Sequence, residues 1–177
     1  MKSKFGRVIT AMITPFAADG SLDVEGARSL AKWLVEQGNE ALVLAGTTGE
    51  SPTITQDEQI ELVEAVVDAV DVPIIAGAGS NDTRSAIANT QRCVDAGAQA
   101  ILSVTPYYNR PSQAGLMAHF AEVAASTELP IMLYDIPART GRALDADTIL
   151  QLADEVENIV AVKDAAGDVA STARLIA

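Results

Sequence analysis

The chain has 177 residues, 49% of them hydrophobic, and a formal net charge of −12. That length admits one domain with its own core, the acidic balance disfavours nucleic acid as a partner, and no apolar run approaches the roughly 18 residues of a membrane span. Cys93 stands alone and can close no internal disulfide, and the opening MKSKFGRVITAMITPF has neither a long apolar stretch nor a small-residue cleavage site, so a soluble protein of the reducing cytoplasm is expected.

Short apolar runs recur with a period of about thirty residues, each followed by a loop and a helical pattern. The first strand is expected over residues 8–13 and the second over 41–44, which leads into Gly46-Thr47-Thr48-Gly49-Glu50. Thr55 and Glu58 match a capping box at the start of a helix. Its apolar face is read as Ile60, Val63, Val67 and Val70. Strands follow over residues 72–76 and 100–104, the latter running into Pro106-Tyr107-Tyr108-Asn109. Gly38 and Gly97 fall where helices should end. A fifth strand over residues 131–134 ends on Tyr134; a helix with Ile149, Leu152, Ala153 and Val156 on one face follows. A sixth strand over 159–162 delivers Lys163.

Alternating strands and helices imply parallel strands joined by right-handed crossovers, and near-continuous apolar strands imply that both faces are covered. An open nucleotide-binding sheet is disfavoured. Its nearest phosphate loop, Gly77-Ala78-Gly79-Ser80-Asn81-Asp82, has an aspartate where the third glycine belongs. The chemically competent residues all follow strand ends, where a barrel builds its active site. The fold expected is therefore α/β, a (β/α)8 TIM barrel of which residues 1–177 form a single, incomplete domain supplying about the first six units. The chain reads as a fragment, since a full barrel needs about 250 residues.

Alone, a lysine at a strand end is most often ion-paired or reaching for solvent. Together with its neighbours Lys163 makes a site. An amine attacks a carbonyl only when uncharged, and a free lysine of pKa about 10.4 is neutral in roughly one molecule in 2,500 at pH 7. Desolvation at an apolar strand end, aided by a cation such as Arg139, lowers that pKa. Strand alternation places Lys163 with Ala161 and Ile159, and Asp164 on the opposite side. Tyrosine and threonine hydroxyls can relay protons. Amides and hydroxyls around Thr47, Thr48 and Gly49 suit a carboxylate, and Arg139 suits a second. Arg110 is a further candidate for a locally positive pocket. His119 is expected at a helix surface or boundary, Cys93 to be inert, and Trp33 to pack.

The motifs Gly46-Thr47-Thr48-Gly49-Glu50-Ser51, Val104-Thr105-Pro106-Tyr107-Tyr108-Asn109-Arg110-Pro111, Tyr134-Asp135-Ile136-Pro137-Ala138-Arg139-Thr140-Gly141 and Val162-Lys163-Asp164 resemble those of the dihydrodipicolinate synthase family. The resemblance runs in register from Val8 to Ala177. It implies condensation of pyruvate, held as a Schiff base on Lys163, with aspartate 4-semialdehyde on the way to diaminopimelate and lysine. It also implies Tyr134 as proton donor and acceptor, Thr47 and Tyr108 as the rest of the relay, Thr48 on the pyruvate carboxylate and Arg139 on that of the semialdehyde. Tyr108 would reach a neighbouring subunit, so a homo-oligomer (dimer or tetramer) is expected, with no metal and no organic cofactor.

Departures from the family pattern are Asp135 for asparagine and Asp164 for glutamate. Asn81 and Tyr107 match an inhibitor site for lysine, whereas Gln56, Gln59 and Ser85 do not, so weak or absent lysine inhibition is expected. Asn81, Tyr107 and Ser51 stand as regulatory or interface residues. The missing seventh and eighth strands imply that a chain ending at Ala177 is inactive. Other Schiff-base enzymes remain open, of the N-acetylneuraminate lyase or 2-keto-3-deoxy sugar-acid aldolase and dehydratase types, as do a non-catalytic fragment or binding protein.

Overall fold

The computed structural model describes residues 5–177. Contacts divide the chain into two compact units, one of residues 1–77 with 92–100 and one of residues 78–91 with 101–177.

In the first unit, β1 (Ile9–Ala11), β2 (Ala41–Leu44) and β3 (Ile74–Gly77) pair in parallel, with Ile9 opposite Ala41 and Leu42 opposite Ile74. Helix α1 (Val24–Glu36) begins where the Asp23 carboxylate accepts the Gly26 amide at 2.8 Å, and α2 (Gln56–Val67) begins at the expected capping box. There Glu58 accepts the Thr55 amide at 2.7 Å while the Thr55 hydroxyl accepts the Glu58 amide at 3.2 Å. Each bond satisfies a donor that the first turn leaves free. The face that α2 buries is Gln59, Leu62, Val63, Ala65 and Val66; Ile60 and Val67 are half-buried and Val70 lies beyond the helix. The expected face is therefore displaced by about one residue, because alanine can be buried without contributing to an apolar pattern of large side chains. Gly38 and Gly97 take the left-handed φ values of 96° and 88° expected after helices.

In the second unit, β4 (Ala100–Val104, belonging here from Ile101), β5 (Ile131–Asp135) and β6 (Ile159–Asp164) pair in parallel. Helix α3 (Thr83–Asp95) belongs to this unit as far as Gln91 and to the first from Arg92. Helix α4 (Gln113–Ala125) follows β4, a single turn α5 (Pro137–Thr140) and then α6 (Ala146–Glu155) follow β5, and α7 (Val169–Ile176) follows β6. On α6, Ile149 and Leu152 are buried as expected, but Ala153 is exposed.

Strands β2 and β5 are fully buried and β3 and β4 are buried except at their last residues, whereas β1 and most of β6 are half-exposed. Among the described residues β1 pairs only with β2 and β6 only with β5, so each has one unpaired edge, and the exposure of their side chains shows that coverage of both faces fails at these two. Strand β6 also carries one extra residue. Ile131 pairs with Ile159 but Met132 pairs with Ala161, leaving Val160 as a bulge. This corrects the simple alternation: Lys163 shares a face with Ala161, Met132 and Tyr134, while Ile159 falls on the other face.

His119 is not a surface residue. It is 5% exposed, its Nδ1 lies 2.9 Å from the Thr83 hydroxyl, and its ring meets Phe120 edge-on at 5.2 Å. Trp33 is 54% exposed on α1 rather than packed. Cys93 is buried, and its Sγ accepts from the Gln59 amide at 3.3 Å.

Candidate active site

Lys163 stands directly opposite Tyr134 in the β5–β6 ladder, and its Nζ lies over the tyrosine ring, 4.4 Å from the centroid. Tyr134 is buried and Lys163 half-buried. Burial lowers the Lys163 pKa from its ordinary value, because an ammonium loses hydration there. Burial alone accounts for the shift. The expected help from Arg139 is absent, since that residue sits exposed on α5 and forms no ion pair among the described residues.

Asp164 lies on the opposite face and is engaged elsewhere. Its Oδ1 accepts the Ala166 amide at 3.0 Å and its Oδ2 the Thr172 hydroxyl. The carboxylate next in sequence to the lysine is thus spent on the turn into α7. Asp135, next in sequence to Tyr134, is 3% exposed on that same face. A cavity of about 560 Å³ lies on this side, lined by Asp135, Leu144, Ile149, Asp164, Asp168 and Arg174 among others, with Lys163 outside it.

Two loops of this unit are joined near Tyr108 and Arg139. The Tyr108 amide donates to the Thr140 carbonyl at 3.3 Å, and Arg110 Nε donates to the Gly141 carbonyl at 2.9 Å. Arg110 therefore ties the loop after β4 to the end of α5 through its Nε. Asn109 Nδ2 reaches the Asn81 carbonyl at 2.9 Å, which places Asn81 beside the Tyr107–Tyr108 loop. Tyr108 is 90% and Tyr107 41% exposed. Tyr108 and Arg110 hold φ of 73° and 49°, left-handed values costly for a side chain with a Cβ.

Thr47, Thr48 and Ser51 belong to the first unit. Thr47 is half-buried, Thr48 exposed and Ser51 half-buried, in a turn whose carbonyls at Gly46 and Thr47 accept the amides of Ser51 and Glu50. The Thr14 hydroxyl donates to the Gly49 carbonyl at 2.6 Å and fixes this turn from below. Ala45 and Glu50, at its two ends, hold φ of 49° and 58°. Thr14 and Thr105 are supporting residues that the motifs do not reveal. Both are buried threonines that donate to a loop or strand-end carbonyl, a role composition does not signal.

The sequence matches the model of the dihydrodipicolinate synthetase family over residues 4–177. The chain belongs to that family. It is 56% identical over 175 residues to the 4-hydroxy-tetrahydrodipicolinate synthase of Acidothermus cellulolyticus, covering 98% of this chain and 56% of that relative. Among solved family structures, the synthase of Cyanidioschyzon merolae with lysine bound superposes with a TM-score of 0.95 at 47% identity, over 97% of this chain and 59% of that one. The chloride-inhibited dihydrodipicolinate synthase of Acinetobacter baumannii complexed with pyruvate gives 0.92 at 44% identity, over 96% and 58%. The chain thus spans somewhat more than half the length of these relatives. Its fold class is the (β/α)8 barrel of the dihydrodipicolinate synthases, of which it supplies about the first six units.

Proposed function

We propose that the protein carrying this chain is a 4-hydroxy-tetrahydrodipicolinate synthase, a lyase that condenses pyruvate with L-aspartate 4-semialdehyde towards diaminopimelate and lysine. The observation that carries this reading is the pairing of a desolvated lysine with a buried tyrosine, side by side at the C-terminal ends of β5 and β6, in a chain of this family.

In this reading the neutral Lys163 amine attacks the keto carbon of pyruvate. The carbinolamine loses water to give an imine, and loss of a methyl proton gives the enamine that attacks the aldehyde. Tyr134 donates and accepts these protons, with Thr47 and Tyr108 completing the relay. Thr48 holds the pyruvate carboxylate and Arg139 that of the semialdehyde, in a bidentate grip. No metal or organic cofactor enters. Residues 1–177 act as one incomplete barrel domain of a cytoplasmic homo-oligomer, dimer or tetramer, with Tyr107, Asn81 and Ser51 at regulatory or interface positions.

Lysine inhibits weakly or not at all in this proposal. Gln59 supports that, because its amide is bound to the Gly77 carbonyl at 2.8 Å and to Cys93. Ser85 is similarly bound to the Asp82 carboxylate at 2.7 Å.

Pyruvate and borohydride test the chemistry. The chain is treated alone and after completion with the C-terminal part of the Acidothermus cellulolyticus relative, then weighed and digested. A reduced adduct on Lys163 is expected, and its absence from both forms rejects the reading. With the completed barrel, turnover of aspartate semialdehyde but not of sugar acids is expected, and inhibition by sub-millimolar lysine would overturn the regulatory part.

A further inference from the structure

We propose that Asp135 is a positioning residue that fixes the Tyr134 ring against Lys163, working from the opposite face of the sheet. The proposal rests on the roles of Tyr134 and Lys163 in the proposed function, but its geometry can be tested apart from them.

Alternation along β5 sends the Tyr134 ring to one face and the Asp135 carboxylate to the other. The strand end that carries them is gripped from three sides. From the end of β4, the Thr105 amide and hydroxyl both donate to the Tyr134 carbonyl, at 2.9 and 3.1 Å. From the end of β6, the Ala165 amide donates to the Asp135 carbonyl at 2.9 Å, two residues beyond Lys163. From the loop before α6, the Leu144 amide donates to Asp135 Oδ1 at 3.1 Å, and the same oxygen lies 3.5 Å from the Thr105 hydroxyl. Asp135 thus joins the strand end to the loop before α6 through its side chain.

Its placement carries a cost. The carboxylate is 3% exposed, and burial with Asp164 nearby raises its pKa. An apolar residue would fill this place without charging the core. What the carboxylate adds is an acceptor for an amide that would otherwise be buried without a partner. Because the Lys163 amine rests on the ring next in sequence, a shift of this strand end changes the distance between amine and phenol, on which proton transfer depends.

The chain labelled with 13Cε-lysine reports the geometry by NMR, with Lys163→Arg identifying the Lys163 signal. In the wild type, the Tyr134 ring should move that signal upfield, and Tyr134→Leu should abolish the shift. Asp135→Asn keeps an acceptor for Leu144 and should retain it. Asp135→Ala should at least halve it, and Thr105→Val should reduce it in a chain whose Asp135 is intact. An unchanged shift in Asp135→Ala overturns the proposal. If that variant loses amide dispersion, an unchanged shift in Thr105→Val overturns it instead. Borohydride trapping of pyruvate separates this proposal from the functional one. No adduct in the wild type rejects the proposed function, while the NMR shifts still decide the role of Asp135. An adduct whose formation slows roughly tenfold or more in Asp135→Ala and recovers in Asp135→Asn joins the two.

Discussion

Lys163 and Tyr134 face each other across β5 and β6, and the lysine nitrogen rests 4.4 Å from the centre of the tyrosine ring. The arrangement puts an amine, a phenol ring and an apolar strand end in one place, which supports the proposed imine chemistry.

Burial lowers the Lys163 pKa from 10.5, so the folded chain binds fewer protons than the unfolded one between the lowered value and 10.5. Stability contributed by this residue therefore rises with pH across that window. Lys163→Met should stabilise the chain at pH 7 and lose that advantage above pH 10.5. The rate of borohydride-trapped imine formation should reach half its plateau below the pKa of a free lysine. A midpoint at or above that value contradicts the desolvated amine.

Asp135 moves in the opposite direction. Its carboxyl pKa is raised above 3.8, first by burial, so the native state holds its proton longer than the unfolded state as pH rises. The penalty is absent below pH 3.8, grows as pH rises through the folded pKa, and is complete above it. Asp135→Asn should stabilise the chain at pH 7 and converge with the wild type in acid. Urea unfolding at the two pH values measures this, and equal effects at both would refute it.

Cys93 should be chemically silent while the chain is folded. Burial pushes its thiol up to about 11, against an opposing bond from Gln59, so almost no thiolate exists at pH 8. A chromogenic disulfide reagent should find no thiol in buffer and one in denaturant. Stoichiometric reaction of the native chain would contradict the burial.

Gly77 ends β3 against the backbone of Ala45. A Cβ built there would lie 2.3 Å from the Ala45 carbonyl oxygen, and that oxygen is main chain with nowhere to yield. Gly77→Ala should destabilise by about 1–3 kcal/mol through overpacking, read as a lower urea midpoint. A neutral effect would mean that the turn after β2 is free to move.

Much of this is legible in the chain because strands and caps are local. The runs at 41–44 and 100–104 coincide with β2 and β4, and the Thr55–Glu58 box closes as its spacing demands. Lys163 and Tyr134 can be grouped in advance at neighbouring strand ends, because Tyr134 closes one apolar run and Lys163 follows another, but their direct pairing cannot be read there. His119 cannot be placed that way, since its burial depends on the Thr83 hydroxyl from another helix. Nor can the left-handed Ala45, Glu50, Tyr108 and Arg110, where the residue that takes the positive φ is itself not a glycine. The single turn α5 in Pro137–Thr140 is too short to leave a periodic pattern. The extra residue in β6 has no local signature either, because Val160 has the composition of its neighbours.

Val160 nonetheless acts as a spacer that chooses the company Lys163 keeps. Without that slack, and with Ile159 still opposite Ile131, Val162 would stand opposite Tyr134 and Lys163 opposite Asp135. An ammonium beside a carboxylate is the arrangement that keeps a lysine protonated. Leaving one valine unpaired, with no reactive group of its own, thereby keeps the Lys163 amine out of an ion pair with Asp135.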